Sequence, residues 1–110
     1  MEILEGKLYD DLLRITKLRA PHEAVGLVID GSRVVELTNI SGSPSNTFEV
    51  FRSQIIAALA DVPDPSAVIF WHSHPSGGVG PSQTDLQQRT PFTSHLVVSL
   101  SDGELIASWY

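Results

Sequence analysis

The chain contains no cysteine. That removes disulfides, a thiol nucleophile and thiolate metal ligands together, so any metal site has to be built from His, Asp or Glu. Positive charge is also scarce: seven Lys plus Arg stand against thirteen Asp plus Glu, a formal charge of -6. Binding to a phosphate backbone rests on clustered cations, so this balance argues against a nucleic-acid partner. No apolar run approaches the roughly eighteen residues that a membrane span requires. Met1 is followed by Glu2 and Glu5, where a signal sequence would place a basic region and an apolar stretch. Repeats and low-complexity tracts are missing as well. The expectation is a soluble, cytoplasmic protein with neither nucleic acid nor membrane as partner.

What is present suits a single domain over residues 1–110, since 42% hydrophobic residues are enough for a core at this length. Leu8, Leu12, Leu13, Ile15 and Leu18 recur mostly at three- and four-residue spacings from Glu5 to about Arg19, which predicts an amphipathic helix ended by Pro21. "EAVGLVID" and "RVVELTNI" read as strands joined at Gly31-Ser32, and "SGSPSN" as a loop. "TFEV" reads as a short strand and "RSQIIAALAD" as a helix closed by Pro63 and Pro65. "SAVIFWHS" is a continuous apolar and aromatic run, the mark of a strand buried on both faces. A Gly/Pro loop from His74 to Ser82 leads to "SQTDLQQR", a helix with Ser82 as N-cap, and "HLVVSL" and "ELIASWY" close the chain as a hairpin through "SDG". The fold class is therefore α/β or α+β, a central mixed sheet with two to three helices.

Chemistry concentrates in "FWHSHPSGGVGPSQTDLQQ". Residues i and i+2 of a strand share a face, so His72 and His74 can aim two imidazoles at one point. Asp85, on a separate helix, offers a third ligand. A His-His-carboxylate set with an open position suits catalytic zinc, and it also suits non-haem iron.

Seven residues separate His74 from Ser82 and two separate Ser82 from Asp85. His-Ser-His-Pro, six further residues and Ser-x-x-Asp resemble the JAMM (MPN+) metalloprotease signature, and "APHEAVGLVI" supplies the upstream glutamate of that pattern as Glu23, at the start of the first strand. The resemblance extends over nearly the whole chain and implies the JAMM/MPN fold, which is cytidine-deaminase-like. It implies one zinc ion per chain, held by His72, His74 and Asp85, with Glu23 as the base acting on zinc's water and Ser82 helping to stabilise the oxyanion. Ser82 also reads as a plain helix cap, and the two roles are compatible.

The other polar and aromatic candidates read more plainly. Ser73 and Trp71 alternate with the histidines and should face the other side for packing, and His22 should lie at the surface. His95 reads as a structural strand residue with the alternative of supporting the site. Asn46 and Phe48 are candidates to line a groove, while Trp109 and Tyr110 have no fixed role.

Family activity implies hydrolysis of a peptide or isopeptide bond in a protein substrate, typically at the C-terminus of a ubiquitin-like protein. The short chain resembles minimal prokaryotic forms, most of all the JAMM domain of phage tail assembly proteins of the lambda K type. Alternatives are a bacterial sulfur-carrier-protein peptidase and a scaffolding tail component that keeps the fold without the reaction.

Overall fold

A computed structural model of the chain describes residues 6–31, 33–64, 68–75, 79–82, 85 and 94–110. The apolar run ahead of the motif takes the centre. It forms β3 (Ile69–His74), the middle of five strands in a sheet completed by β1 (Val25–Ile29), β2 (Arg33–Leu37), β4 (Ser94–Ser101) and β5 (Glu104–Trp109). The order is β2-β1-β3-β4-β5. β3 pairs antiparallel with β1, Val25 opposite His72, and parallel with β4, His72 opposite Val97. A central strand has to be covered on both faces, and helices α1 (Gly6–Arg19) and α2 (Arg52–Leu59) do this from opposite sides. The result is a mixed-sheet α/β fold.

Strand alternation sorts the core. On the α1 side Trp71 packs with Leu12, Ile15, Ala24, Val28, Leu96 and Val98. On the α2 side Phe70 packs with Val25, Leu27, Ile29, Leu37 and Val68, covered by Phe48, Val50, Ile55 and Leu59. His72 lies on this second side.

Three sequence expectations shift. Leu18 is exposed and Thr16 is buried, its hydroxyl donating to the Leu12 carbonyl at 2.7 Å. At 3.6 residues per turn, Leu8, Leu12, Ile15 and Thr16 fall within one arc roughly 100° wide, and Leu18 lies outside it. The first hairpin turns one residue early: Asp30 (φ 57°) and Gly31 (φ 71°) are both left-handed, as are Asp102 (φ 52°) and Gly103 (φ 82°) in the closing hairpin. Two consecutive left-handed residues match the twist of the flanking strands, and Asp-Gly tolerates them.

Residues 47–50, read as a strand, belong to no regular element. Their backbone groups are engaged elsewhere: the Thr47 carbonyl accepts from Asn39 Nδ2 at 3.1 Å, and the Glu49 N–H donates to Asn39 Oδ1 at 3.1 Å. The expected helix "SQTDLQQR" lies outside the described residues apart from Ser82 and Asp85.

Gly26 sits where β1, β2 and Trp71 meet. A Cβ there would stand 2.2 Å from the Val35 carbonyl oxygen and 2.9 Å from Trp71 Nε1. Neither backbone nor a buried indole can retreat by that much. Gly26→Ala is therefore expected to cost about 2 kcal/mol or more, on the order of 10 °C in Tm. Gly42, whose added Cβ would meet nothing within 4 Å, is the control. Gly42→Ala should stay within about 0.5 kcal/mol. Equal thermal melts for the two variants would contradict the close approach at Gly26.

Candidate metal centre

The site forms where β3 leaves the sheet. His72 and His74 project from one face as their spacing predicts, with ring centroids 5.1 Å apart. His72 is fully buried, its ring against Phe48 at 4.6 Å and its Nδ1 3.2 Å from the Tyr110 hydroxyl. When Nδ1–H donates to that hydroxyl, Nε2 presents its lone pair to the site.

The antiparallel neighbour delivers the carboxylate. Beyond the Val25–His72 pair of β1 and β3, the Ser73 N–H donates to the Ala24 carbonyl at 2.9 Å and the Ala24 N–H to Ser73 Oγ at 2.8 Å. Ala24 thereby faces α1 and Glu23, one residue earlier, faces the histidines. Glu23 stands two residues ahead of β1, not within it, and is buried. Glu23, His72 and His74 each bring a ligand atom within 4.8 Å of the others, so these three can hold a metal ion.

Asp85 arrives from a different part of the chain. The Ser82 N–H donates to Asp85 Oδ2 at 2.8 Å, and the Asp85 N–H donates to Ser82 Oγ at 3.1 Å. This reciprocal arrangement is a capping box, which fixes both side chains locally. The same Oδ2 lies 3.0 Å from His72 Nε2 and 3.1 Å from His74 Nε2. Only the His74 contact has hydrogen-bond alignment; His72 Nε2 and Glu23 Oε1 are buried without a hydrogen-bond partner among the described residues. Buried polar atoms left unpaired are costly, and here they converge with a carboxylate on one point. A cation would satisfy all of them, so the residues present fit a metal of the kind that takes nitrogen and oxygen donors.

The environment sets the charge states. Burial pushes the Glu23 carboxyl up to about 7, with a smaller downward effect of His74 and a smaller upward one of Asp85. Burial lowers His72, keeping the imidazole neutral as a ligand must be. For Asp85, burial acts upward, but the contacts with His72 and His74 and the Ser82 N–H outweigh it and hold the carboxyl well below the usual range. A cleft of about 320 Å³, lined by Arg19, His22, Glu23, Glu36, Thr38 and Asn39 among others, opens beside Glu23.

All five residues picked out by the motif, Glu23, His72, His74, Ser82 and Asp85, are thus connected through these contacts. Trp71 is in the α1 core and His22 is exposed, as expected. His95 is buried, its ring 5.2 Å from that of Tyr110. Asn46 is exposed. Ser73 does more than pack, because its hydroxyl holds Ala24. Asn39, Phe48 and Tyr110 contribute contacts that motif spacing does not reveal. For Asn39 a signal existed: Asn beside a Ser/Pro-rich loop commonly organises that loop through its amide.

A family model described as prokaryotic homologs of the JAB domain matches residues 5–110 of the chain. Comparison with curated proteins finds no match.

The raised Glu23 carboxyl has a consequence for the metal-free protein. Its value is about 7 in the folded chain against an ordinary 4.5, so the folded state binds this proton more tightly than the unfolded state does. The group's contribution to stability is complete below about pH 4.5 and is lost as pH rises through about 7. With chelator present, Tm should fall across that window, and fall less in Glu23→Gln, which has no proton to lose. Equal pH dependence of the two melts would contradict a buried, ionisable Glu23.

Proposed function

The chain belongs to the prokaryotic homologs of the JAB domain, and on that footing we propose that it is a zinc-dependent peptidase or isopeptidase. The observation that carries this reading is Glu23: a buried carboxyl, one oxygen of which meets no hydrogen-bond partner among the described residues, beside two histidines that can share a metal with it. A carboxyl aimed at the candidate ligands is placed to accept a proton and to return it, which is what a general acid-base group requires.

In this proposal His72, His74 and Asp85 hold the ion. Zinc bound there would supply a water with a pKa lowered to about 7 and would polarise the substrate carbonyl. Glu23 takes the proton from the attacking water as the C–O bond forms, then gives it to the departing amine nitrogen as the C–N bond breaks. Asp85 stays anionic throughout, because its contacts hold its carboxyl far below Glu23. Ser82 Oγ accepts from the Asp85 N–H, a bond that does not use the hydroxyl's own proton, so Ser82 can donate to the developing oxyanion. The cleft beside Glu23 gives the segment flanking the scissile bond a place to lie. We propose as substrate a ubiquitin-like protein cut next to its C-terminus or a phage tail protein, a choice that rests on the sequence resemblance. Incubation with ubiquitin-like fusions, with and without chelator, followed by mass spectrometry of the products, tests it directly.

Metal content comes first. The purified protein should hold about one zinc per chain, and zinc at one hundred times its dissociation constant should stabilise it by about 2.7 kcal/mol, on the order of 10 °C in Tm. Elemental analysis that finds no transition metal after zinc is supplied would end the enzymatic reading.

The mechanism is tested by separating Glu23 from the ligands. Glu23→Gln preserves size and hydrogen bonding but cannot take a proton, so it should retain zinc and lose activity by about 100-fold or more. Asp85→Ala should lose zinc and activity together. A Glu23→Gln protein that cleaves a validated substrate at the wild-type rate would remove Glu23 from the mechanism. One that sheds its zinc would make Glu23 a fourth ligand.

A further inference from the structure

Asn39 lies just past the end of β2, outside the motif, and its side-chain amide is the centre of a hydrogen-bond hub. Its Nδ2 points at three carbonyl oxygens: Glu23 at 2.9 Å, Thr47 at 3.1 Å and Pro44 at 3.4 Å. Its Oδ1 accepts from the Ser41 N–H at 3.0 Å and the Glu49 N–H at 3.1 Å. The loop wrapped in this way closes on itself through the Ile40 N–H and the Glu49 carbonyl at 2.8 Å. It then holds the other backbone group of Glu23 as well, because the Glu23 N–H donates to the Pro44 carbonyl at 2.7 Å.

We infer that Asn39 is the positioning residue that sets Glu23 against the histidine pair. Both backbone polar groups of Glu23 end on Asn39 or on the loop that Asn39 organises. The peptide bearing the carboxylate is therefore held from one side by this loop, and from the other by Ser73 through Ala24. Only an amide meets the demand, since the site asks one side chain to donate to carbonyls and accept from N–H groups at once. Aspartate, nearly identical in shape, keeps the acceptor half and turns a second oxygen toward the Glu23 and Thr47 carbonyls. The loop also carries Phe48, whose ring lies against His72. The catalytic consequence rests on Glu23 being the proton acceptor proposed above; the positioning itself does not.

Hydrogen exchange followed by NMR on the full chain tests the inference in two arms. In the wild-type protein the Asn39 side-chain amide should exchange at least about tenfold more slowly than that of Asn46, which is exposed, tenfold being what about one net hydrogen bond provides. Equal rates for the two would overturn the inference, and this arm needs no variant to fold. In Asn39→Asp the Glu23 backbone amide should exchange at least about tenfold faster while the amides of Trp71 and Val97 in the central strands keep their protection. On a ubiquitin-like fusion that the wild type cleaves, kcat should fall on the order of tenfold with zinc content unchanged, the pattern of a misplaced group rather than a damaged fold. Unchanged exchange at Glu23, or an undiminished kcat, would overturn the inference. A wild type that holds zinc but cleaves nothing would instead count against the peptidase reading, and the exchange rates would still decide the role of Asn39.

Discussion

Two hydrogen bonds between Ala24 and Ser73, residues 49 apart in sequence, set the register on which the site depends. Side chains alternate along a strand, so a slip of one residue between β1 and β3 would turn Glu23 toward α1 and Ala24 toward the histidines. The middle residue of His-Ser-His is the fixing element. His72 and His74 face the site while Ser73, on the opposite face and fully buried, uses both its backbone N–H and its hydroxyl on Ala24. Two residues further along β1, Gly26 lets β2 and Trp71 close in on the same strand, which leaves β1 little freedom to shift.

The same geometry drives two carboxyls in opposite directions. Glu23 and Asp85 are both buried beside the same imidazoles, yet Glu23 is raised to about 7 and Asp85 is lowered. The difference is hydrogen bonding. Asp85 Oδ2 accepts from the Ser82 N–H and is hydrogen-bonded with His74 Nε2, whereas Glu23 Oε1 has no such partner among the described residues. Burial penalises the charge of each, but only Asp85 is compensated. Paired acids whose environments pull their pKa values apart let one site keep two carboxyls in different charge states side by side.

Much of this could be read from the sequence because much of it is local. His72 and His74 share a face by the period of a strand, and Ser82 and Asp85 find each other three residues apart by the logic of a helix cap. The five strands follow from apolar runs broken at turn residues, although the first turn falls at Asp30-Gly31 where Gly31-Ser32 was expected. Glu23 was legible only through its family pattern, since nothing in "APHEAV" alone says that a carboxylate ahead of the strand is buried. Asn39 and Tyr110 were not legible as site residues and Phe48 was expected only as a candidate to line a groove, because each reaches the site by a long-range contact that no local period encodes. The short strand expected at residues 47–50 failed for the same cause. β-prone side chains say nothing of whether the backbone will find a neighbouring strand or the amide of a distant asparagine.

Supports for the candidate ligands and for Glu23 come largely from different pieces of chain. His72 and His74 hang from the central strand, Asp85 from its capped turn, and Glu23 from the approach to β1. Separate supports would let the two halves of the site drift independently, and the chemistry cannot use them unless they hold a common geometry to a fraction of an ångström. The loop that follows β2 removes that freedom. Asn39 fixes it to the backbone of Glu23, and Phe48, nine residues later, rests on the ring of His72 and on Phe70. A displacement of this loop therefore acts on the carboxylate and on an imidazole at once. Residues outside the motif, with no reactive group among them, thereby couple Glu23 to the strand that carries the histidines.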